Sequence, residues 1–184
     1  EVVQRVLGLG EDEKLVAAAA VESVAENTSD GVIAPLLYYY SGGLPLAYFY
    51  RYINTADSML GYRDPAREWL GKFPARLDDV LNYLPARFSA LLISAAGGLT
   101  ERRGAESWHT VQNAAQKTDS PNAGHPISAM AGALGVELEK VDQYQIGAGY
   151  PPPSNHDIRR ARTILGIASG LGIILMILLP HREQ

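Results

Sequence analysis

The chain has 184 residues, 47% of them hydrophobic, with 16 Lys+Arg against 20 Asp+Glu and a formal net charge of −4. That length fits one domain with a packed core, and the acidic balance lacks the basic stripe that a nucleic-acid partner needs. No cysteine is present, so disulfides and thiolate zinc sites are excluded.

The first expected helix covers 11–29, with apolar surface from Leu15, Ala18, Ala19 and the stretch 21–25, and Asp30-Gly31 is expected to end it. An apolar block at 32–40 runs into the breaker Ser41-Gly42-Gly43. A second helix follows at 44–60, with Pro45 in its first turn, where a missing N–H costs nothing. Two more helices, 74–83 and 86–96, are expected to be split at Pro85, and 105–117 reads as an exposed helix. Residues 119–126 form a loop and 127–134 a helix of small residues. Residues 136–146 alternate enough for a short strand or hairpin. After a Pro-rich turn at 147–154, the last helix starts near Ser154, with Asp157 placed to complete a capping box. The fold class is all-α, with at most that one hairpin.

The chain's end suggests a membrane. Ile164 to Leu179 carries no charge, and extension from Ala161 through Pro180 approaches the roughly 20 residues a span requires. Arg159, Arg160 and Arg162 precede the run, and His181 and Arg182 follow it. An Arg-rich flank favours the cytoplasmic side. A buried core helix is the competing reading. The aromatic group Tyr38, Tyr39, Tyr40, Tyr48, Phe49, Tyr50 and Tyr52 fits an interfacial belt, core packing or the border of a planar ligand.

Polar residues cluster inside otherwise apolar helices. Glu22, Glu26 and Asp30 repeat at helical spacing, so three carboxylates share one face. They form either a solvated acidic face or, with oxygens from Asn27, Thr28 and Ser29, a site for Mg²⁺. Asn54, Asp57 and Ser58 share a second face. Asp78, Asp79 and Asn82 lie between Arg76 and Arg87, as local ion pairs or as a site. The loop DSPNAGHP enters a helix N-terminus, where free N–H groups suit an anion. An ordinary turn is the alternative. His109, His125, His156 and His181 lack metal-ligand spacing, and neither a Walker A loop nor a GxSxG elbow is present.

As strings these segments are more specific. VESVAENTSDGVIAPLLYY, INTADSMLGY, ARLDDVLNYLPARFSALL, SPNAGHPISAMAGALGVELEK and DIRRA occur in that order. Together, from about residue 15 to 165, they resemble the CobD/CbiB family of adenosylcobinamide-phosphate synthases. The LEK continuation is most similar to archaeal members. The resemblance implies a multi-pass cell-membrane enzyme with a cytoplasmic active site. Such an enzyme joins a corrinoid, adenosylcobyric acid, to an amino-alcohol phosphate, using ATP and Mg²⁺. Chemistry placed on the family's motifs makes Glu26, Asp57, Asp78 and Asp79 the catalytic candidates. It makes Glu26, Asp30 and Asp57 the metal candidates. Asn27, Asn54, Ser58, Arg76, Arg87, Ser120, Asn122 and Gly124 become candidates for binding substrate and phosphate. Family members also carry a hydrophobic N-terminal region and an Arg-Asp-Thr-like motif, where this chain reads QRVLGLGEDEK. The chain is therefore expected to be the C-terminal part of such an enzyme. Two other readings stay open: a non-catalytic membrane accessory or sensor protein similar to the AmpE relatives of the family, and a soluble helical binding module.

Overall fold

The computed structural model describes residues 13–60 and 68–179. The elements are α1 (Glu13–Asn27), a π-helical turn (Thr28–Ile33), α2 (Ala34–Leu60), α3 (Glu68–Leu81), α4 (Tyr83–Glu101), α5 (Gly104–Ala114), α6 (Gly124–Leu134), β1 (Leu138–Lys140), β2 (Tyr144–Ile146) and α7 (Asn155–Leu178). The expected all-α class with one hairpin is what the chain adopts.

The fold is organised around α6, in which every residue except His125 is buried. Its Gly, Ala and Ser side chains let α4 and α5 approach closely, and these are its main packing partners. A Cβ at Gly132 would lie 2.6 Å from Thr110 Oγ1 and 2.7 Å from Ser107 Cα, so only glycine fits there. A polar stitch runs through the same interface. Ser107 Oγ meets the Ala129 carbonyl at 2.7 Å and Ser94 Oγ at 2.8 Å. Buried hydroxyls need such partners, because an unmade hydrogen bond costs about 1–3 kcal/mol.

Several boundaries differ from the sequence reading, each for a local reason. Asp30-Gly31 does not end the first helix, which widens into the π turn and continues into α2. The break expected at Ser41-Gly42-Gly43 is present, with Gly42 and Gly43 outside helical geometry. Gly43 has φ 67°, a left-handed conformation that glycine adopts without strain. The third helix starts before Pro74 and carries that proline inside it. The split from α4 falls at Asn82, leaving Pro85 in the first turn of α4, where its absent N–H is harmless. Helix α4 runs on to Glu101 and stops where Arg102 turns left-handed.

The hairpin pairs Leu138 with Ile146, both buried, and lies against α1. Asp157 closes the start of α7 by accepting hydrogen bonds from Ser154 N (2.9 Å) and Ser154 Oγ (2.7 Å). Arg160 is less available as a membrane flank than its position in the sequence suggests. It donates to Asp157 (2.6 Å) and to Glu101 (2.6 Å), tying α7 to the end of α4. Arg159 and Arg162 remain exposed, and His181 and Arg182 lie outside the described residues.

Helix α7 is long and apolar enough to cross a membrane, and only 22% of its most apolar window is buried. A core helix in a soluble protein hides most of such a window. Here Ile173, Ile174, Leu175, Ile177 and Leu178 are exposed beyond the last core contacts. Twenty-four residues at about 1.5 Å each match a bilayer's hydrocarbon thickness. Cysteines placed at Arg159 and at Glu183 are expected to be labelled from opposite faces of the membrane. Labelling of both from the cytoplasmic face alone would show that α7 does not cross.

Candidate active site

The site begins where α1 loses its regular hydrogen bonding. Asn27 Nδ2 donates to the Ser23 carbonyl and Thr28 Oγ1 to the Val24 carbonyl, each at 2.8 Å and each one turn back. Such back-bonding competes with the backbone ladder, and the helix widens into the π turn immediately after it. Single π turns of this kind are frequent at functional sites. The turn buries Ser29 and brings Asp30 into a cleft also lined by Glu26.

The opposite side of this cleft comes from distant parts of the chain. Asp78 of α3, Asn82 at the junction of α3 and α4, Ala86 of α4, and Ser120, Asn122, Ala123 and Pro126 at the entry to α6 complete a solvent-open space of about 290 Å³. Asp78 is held on both oxygens. Asn54 Nδ2 donates to Oδ1 at 3.2 Å and Asn82 Nδ2 to Oδ2 at 2.8 Å. Asn82 is fixed in turn by the hydroxyl of fully buried Tyr50 at 2.8 Å, whose ring stacks on Tyr38. Arg51 donates to the Asp30 carbonyl (3.2 Å) and to Asn54 Oδ1 (3.3 Å), joining α2 to the π turn.

The electrostatics match a strained acidic cluster. Burial raises the Asp30 carboxyl to about 7, with Asp78 and Glu26 adding like-charge repulsion and Arg51 opposing it. Burial also pushes Glu26 and Asp78 above the usual carboxylate range. Glu26 is exposed along its helix but lines a cleft walled by protein, where its charge is only partly hydrated. Ser29 Oγ sits near enough to favour the charged form of Asp30. Even so, it makes no hydrogen bond of normal geometry among the described residues.

The loop side carries the basic group. Asn122 accepts from Arg87 Nη1 (3.3 Å) and donates to the Asp79 carbonyl (2.7 Å). Arg87 also donates to the Tyr83 carbonyl, and its guanidinium lies 3.5 Å above the Tyr83 ring. Ser120 Oγ accepts from the backbone N–H groups of Asn122 and Ala123, each at 3.3 Å, so this hydroxyl already caps part of the expected anion loop.

The structure thus brings Glu26, Asp30, Asp78, Ser120 and Asn122 together, with Asn54 and Arg87 adjoining. Asp57 lies outside the lining, with its carboxyl raised by burial and by Asp78 and Asp79. Asp79 contributes its carbonyl through Asn122. Asn27 and Ser58 spend their side chains on their own helices. Arg76 is exposed, with no hydrogen-bond or ion-pair partner among the described residues. Gly124 is pressed against the Ala115 carbonyl rather than open to a ligand. The described residues hold no group of three acidic or imidazole side chains arranged to bind a metal ion, and of the metal candidates Glu26 and Asp30 line the cleft while Asp57 does not. The sequence reading grouped Tyr50 with the other aromatics but did not link it to Asn82, 32 positions away. Helical spacing from Asp78 already pointed to Asn82.

The sequence profile described as CobD/Cbib protein matches residues 7–165. The chain is 44% identical over 164 residues to the cobalamin biosynthesis protein CobD of Dehalococcoides mccartyi, covering 89% of this chain and 53% of the relative. It is 41% identical over 167 residues to the cobalamin biosynthesis protein CbiB of Salmonella typhimurium, covering 86% and 52%. A probable cobalamin biosynthesis protein CobD of Methanothermobacter thermautotrophicus is 43% identical over 132 residues, covering 72% and 44%. No solved structure matches. The chain spans about half the length of these relatives. With a profile match over most of the chain and these identities, it belongs to the CobD/CbiB family of cobalamin biosynthesis proteins.

Proposed function

We propose that the whole protein is an adenosylcobinamide-phosphate synthase, a ligase that joins adenosylcobyric acid to an amino-alcohol phosphate in an ATP-dependent amide-forming reaction. One observation carries the reading. Residues of separate motifs, Glu26 and Asp30, Asp78 and Asn82, Ser120 and Asn122, line a single cleft, and Asn54 of a further motif is bonded to Asp78. A scaffold alone does not need desolvated carboxylates from several helices gathered beside an arginine.

A carboxylate is a poor electrophile. Transfer of the γ-phosphoryl group of ATP to it gives an acyl phosphate and ADP. The amine then attacks the acyl carbon, phosphate leaves, and the nitrogen loses a proton. This chain supplies an anion clamp in Arg87, held flat by Tyr83 and aimed by Asn122. It also supplies carboxylates that favour a cation beside the acidic wall. Magnesium enters the proposal as the companion of the nucleotide phosphates, since the carboxylates present do not form a dedicated cage. The reading places the whole protein in the cell membrane as a multi-pass chain in contact with lipid, with this cleft on the cytoplasmic side.

The test is product formation by the whole protein in lipid nanodiscs, supplied with adenosylcobyric acid, MgATP and (R)-1-aminopropan-2-ol phosphate and followed by mass spectrometry. Asp78→Asn is expected to lower turnover by about 100-fold or more, the scale on which a charged active-site group contributes. Asp119→Asn, exposed and outside the lining, should leave turnover unchanged. No product from the folded wild-type protein would favour a non-catalytic membrane role.

A further inference from the structure

From Gly31 to Tyr50, between Asp30 and Arg51, the chain carries no charge. This stretch doubles back on itself. Gly42 and Gly43 leave helical geometry and divide it into two short helical arms. Tyr38 of the first arm stacks on Tyr50 of the second, with ring centroids 5.0 Å apart. Arg51 Nη1 then reaches the Asp30 carbonyl at 3.2 Å, so the segment returns to the point where it left the bundle. Only its base is held in the core, through Ile33, Ala34 and Tyr50. From Pro35 to Phe49 no residue is buried. Leu44, Tyr48 and Tyr52 follow one another at single turns along one face and are exposed, Leu44 at 61% and Tyr48 at 71%. Tyr39 and Phe49 add to this outward surface. Scattered exposed apolar residues need no explanation, but a continuous apolar projection marks an interaction surface.

We propose that this helical hairpin is a monotopic membrane element, seated in the interface of one leaflet and leaving the bilayer by the face through which it entered. Its arms, residues 31–41 and 44–50, are about 10–17 Å long at 1.5 Å per residue, against a hydrocarbon core of roughly 30 Å, so neither crosses. Three observations make lipid the occupant of its outer surface. The surface is apolar without a single charge, which acyl chains accept and water does not. Tyr39, Tyr48 and Tyr52 suit the boundary, where their rings lie among chains and their hydroxyls reach headgroups. The surface also continues onto α7. A Cβ at Gly172 of α7 would lie 2.9 Å from Ile33 Cδ1 at the hairpin's base, and past that contact α7 exposes Ile173, Ile174 and Ile177. The seat is shallow because Gly42 and Gly43 interrupt the helical ladder, and backbone outside a regular ladder needs water or headgroups. Ser41 needs neither, since its hydroxyl donates to the Leu37 carbonyl at 2.8 Å. The hairpin springs from the π turn that carries Ser29 and Asp30, so it anchors that wall of the cleft at the membrane surface. This inference takes from the function proposed above only the presence of a membrane, so either can fail without the other.

The experiment uses single-cysteine variants of the whole protein in sealed vesicles of uniform orientation. Ser23→Cys and Thr55→Cys, both at exposed positions, flank the hairpin, and Leu44→Cys and Tyr48→Cys lie on it. The two flanking positions are expected to react with a charged, membrane-impermeant maleimide from the same face. Leu44→Cys and Tyr48→Cys should react at least about tenfold more slowly, because the apolar boundary excludes a charged reagent. A bimane attached at either should be quenched more by lipids spin-labelled near the headgroup than by lipids labelled at the chain end. The two hairpin positions report independently, so a variant that fails to fold leaves the other to decide. Labelling of the flanking positions from opposite faces would overturn the proposal, because the stretch would then be a span. Equal reaction at all four positions without lipid quenching would also overturn it, by placing the hairpin in water. So would efficient oxidative cross-linking of Leu44→Cys between two copies without lipid quenching, which would make a second copy the occupant. Product formation is scored separately and bears only on the function proposed above.

Discussion

Gly124→Ala is expected to destabilise the protein by about 3 kcal/mol or more, the upper range for inserting a carbon into a packed core. A Cβ at that position would lie 2.0 Å from the Ala115 carbonyl oxygen, 2.8 Å from its carbon and 2.7 Å from Thr118 Oγ1. The oxygen belongs to backbone at the end of α5, where the Ala115 N–H is bonded to the Val111 carbonyl, so it cannot swing aside as a flexible side-chain tip can. Gly166→Ala and Gly170→Ala on α7 are the controls. Nothing lies within 4 Å of either new Cβ, and replacing a helical glycine by alanine gains about 1 kcal/mol of helix propensity. Chemical denaturation in one detergent should therefore give a large loss for the first variant and no loss for the other two. Wild-type stability in Gly124→Ala would mean that the loop can move away from α5. The open side of Gly124 that the sequence suggested for a phosphate would then be available. With the carbonyl in place, an anion there would face an oxygen.

That position illustrates how far the sequence could be read. Strings such as SPNAGHP locate the cleft in the chain, because residue order alone carries a family pattern. They do not say which side of a glycine faces a neighbour, because that depends on how α5 and α6 dock. The same limit explains the π turn. Asp and Gly together usually stop a helix. Here Asn27 and Thr28 take the carbonyls of the preceding turn, and the backbone widens instead of ending. Local features were legible where the physics is local: the Ser154–Asp157 cap, Pro45 in a first turn, the hairpin and the small-residue helix α6. The expected convergence of Glu26, Asp30 and Asp57 was not, because helical spacing fixes a face but not the partner helix. Packing of α2 on α3 sets Asp57 near Asp78 and Asp79 and outside the cleft lining. The Tyr50–Asn82 link had no sequence signal, since it exists only after α2 meets the junction of α3 and α4, whereas the Asp78–Asn82 pair was legible from its one-turn spacing.

Glu22→Gln is expected to make the protein more stable than wild type at pH 8 and equally stable near pH 4. Glu22 is 9% exposed, one helical turn before the cleft residue Glu26. Its Oε2 accepts a hydrogen bond from Tyr144 on the hairpin at 2.9 Å, while Oε1 has no partner among the described residues. Burial raises this carboxyl from 4.5 to about 7, Glu26 pushes it further, and the Tyr144 hydrogen bond and Lys140 act the other way. Below 4.5 the group is protonated in both folded and unfolded chains and contributes no pH dependence. Between 4.5 and about 7 the unfolded chain releases the proton and the folded chain keeps it, so stability falls as pH rises. Above about 7 both states are ionised and the penalty is constant, on the order of 3 kcal/mol for a shift of this size. Glutamine keeps an oxygen to accept from Tyr144 and carries no charge, so it removes the penalty without removing the link from α1 to the hairpin. Asp30 titrates in the same window but is present in both proteins, so the wild-type-minus-variant difference isolates Glu22. Denaturant midpoints at pH 4 and pH 8 measure it. A glutamine variant no more stable than wild type at pH 8 would show that the Glu22 carboxylate is stabilised by solvent or a cation. In that case the row of carboxyls from Glu22 through Glu26 to Asp30 would have to be treated as one hydrated acidic channel rather than as a buried acid behind a ligand cleft.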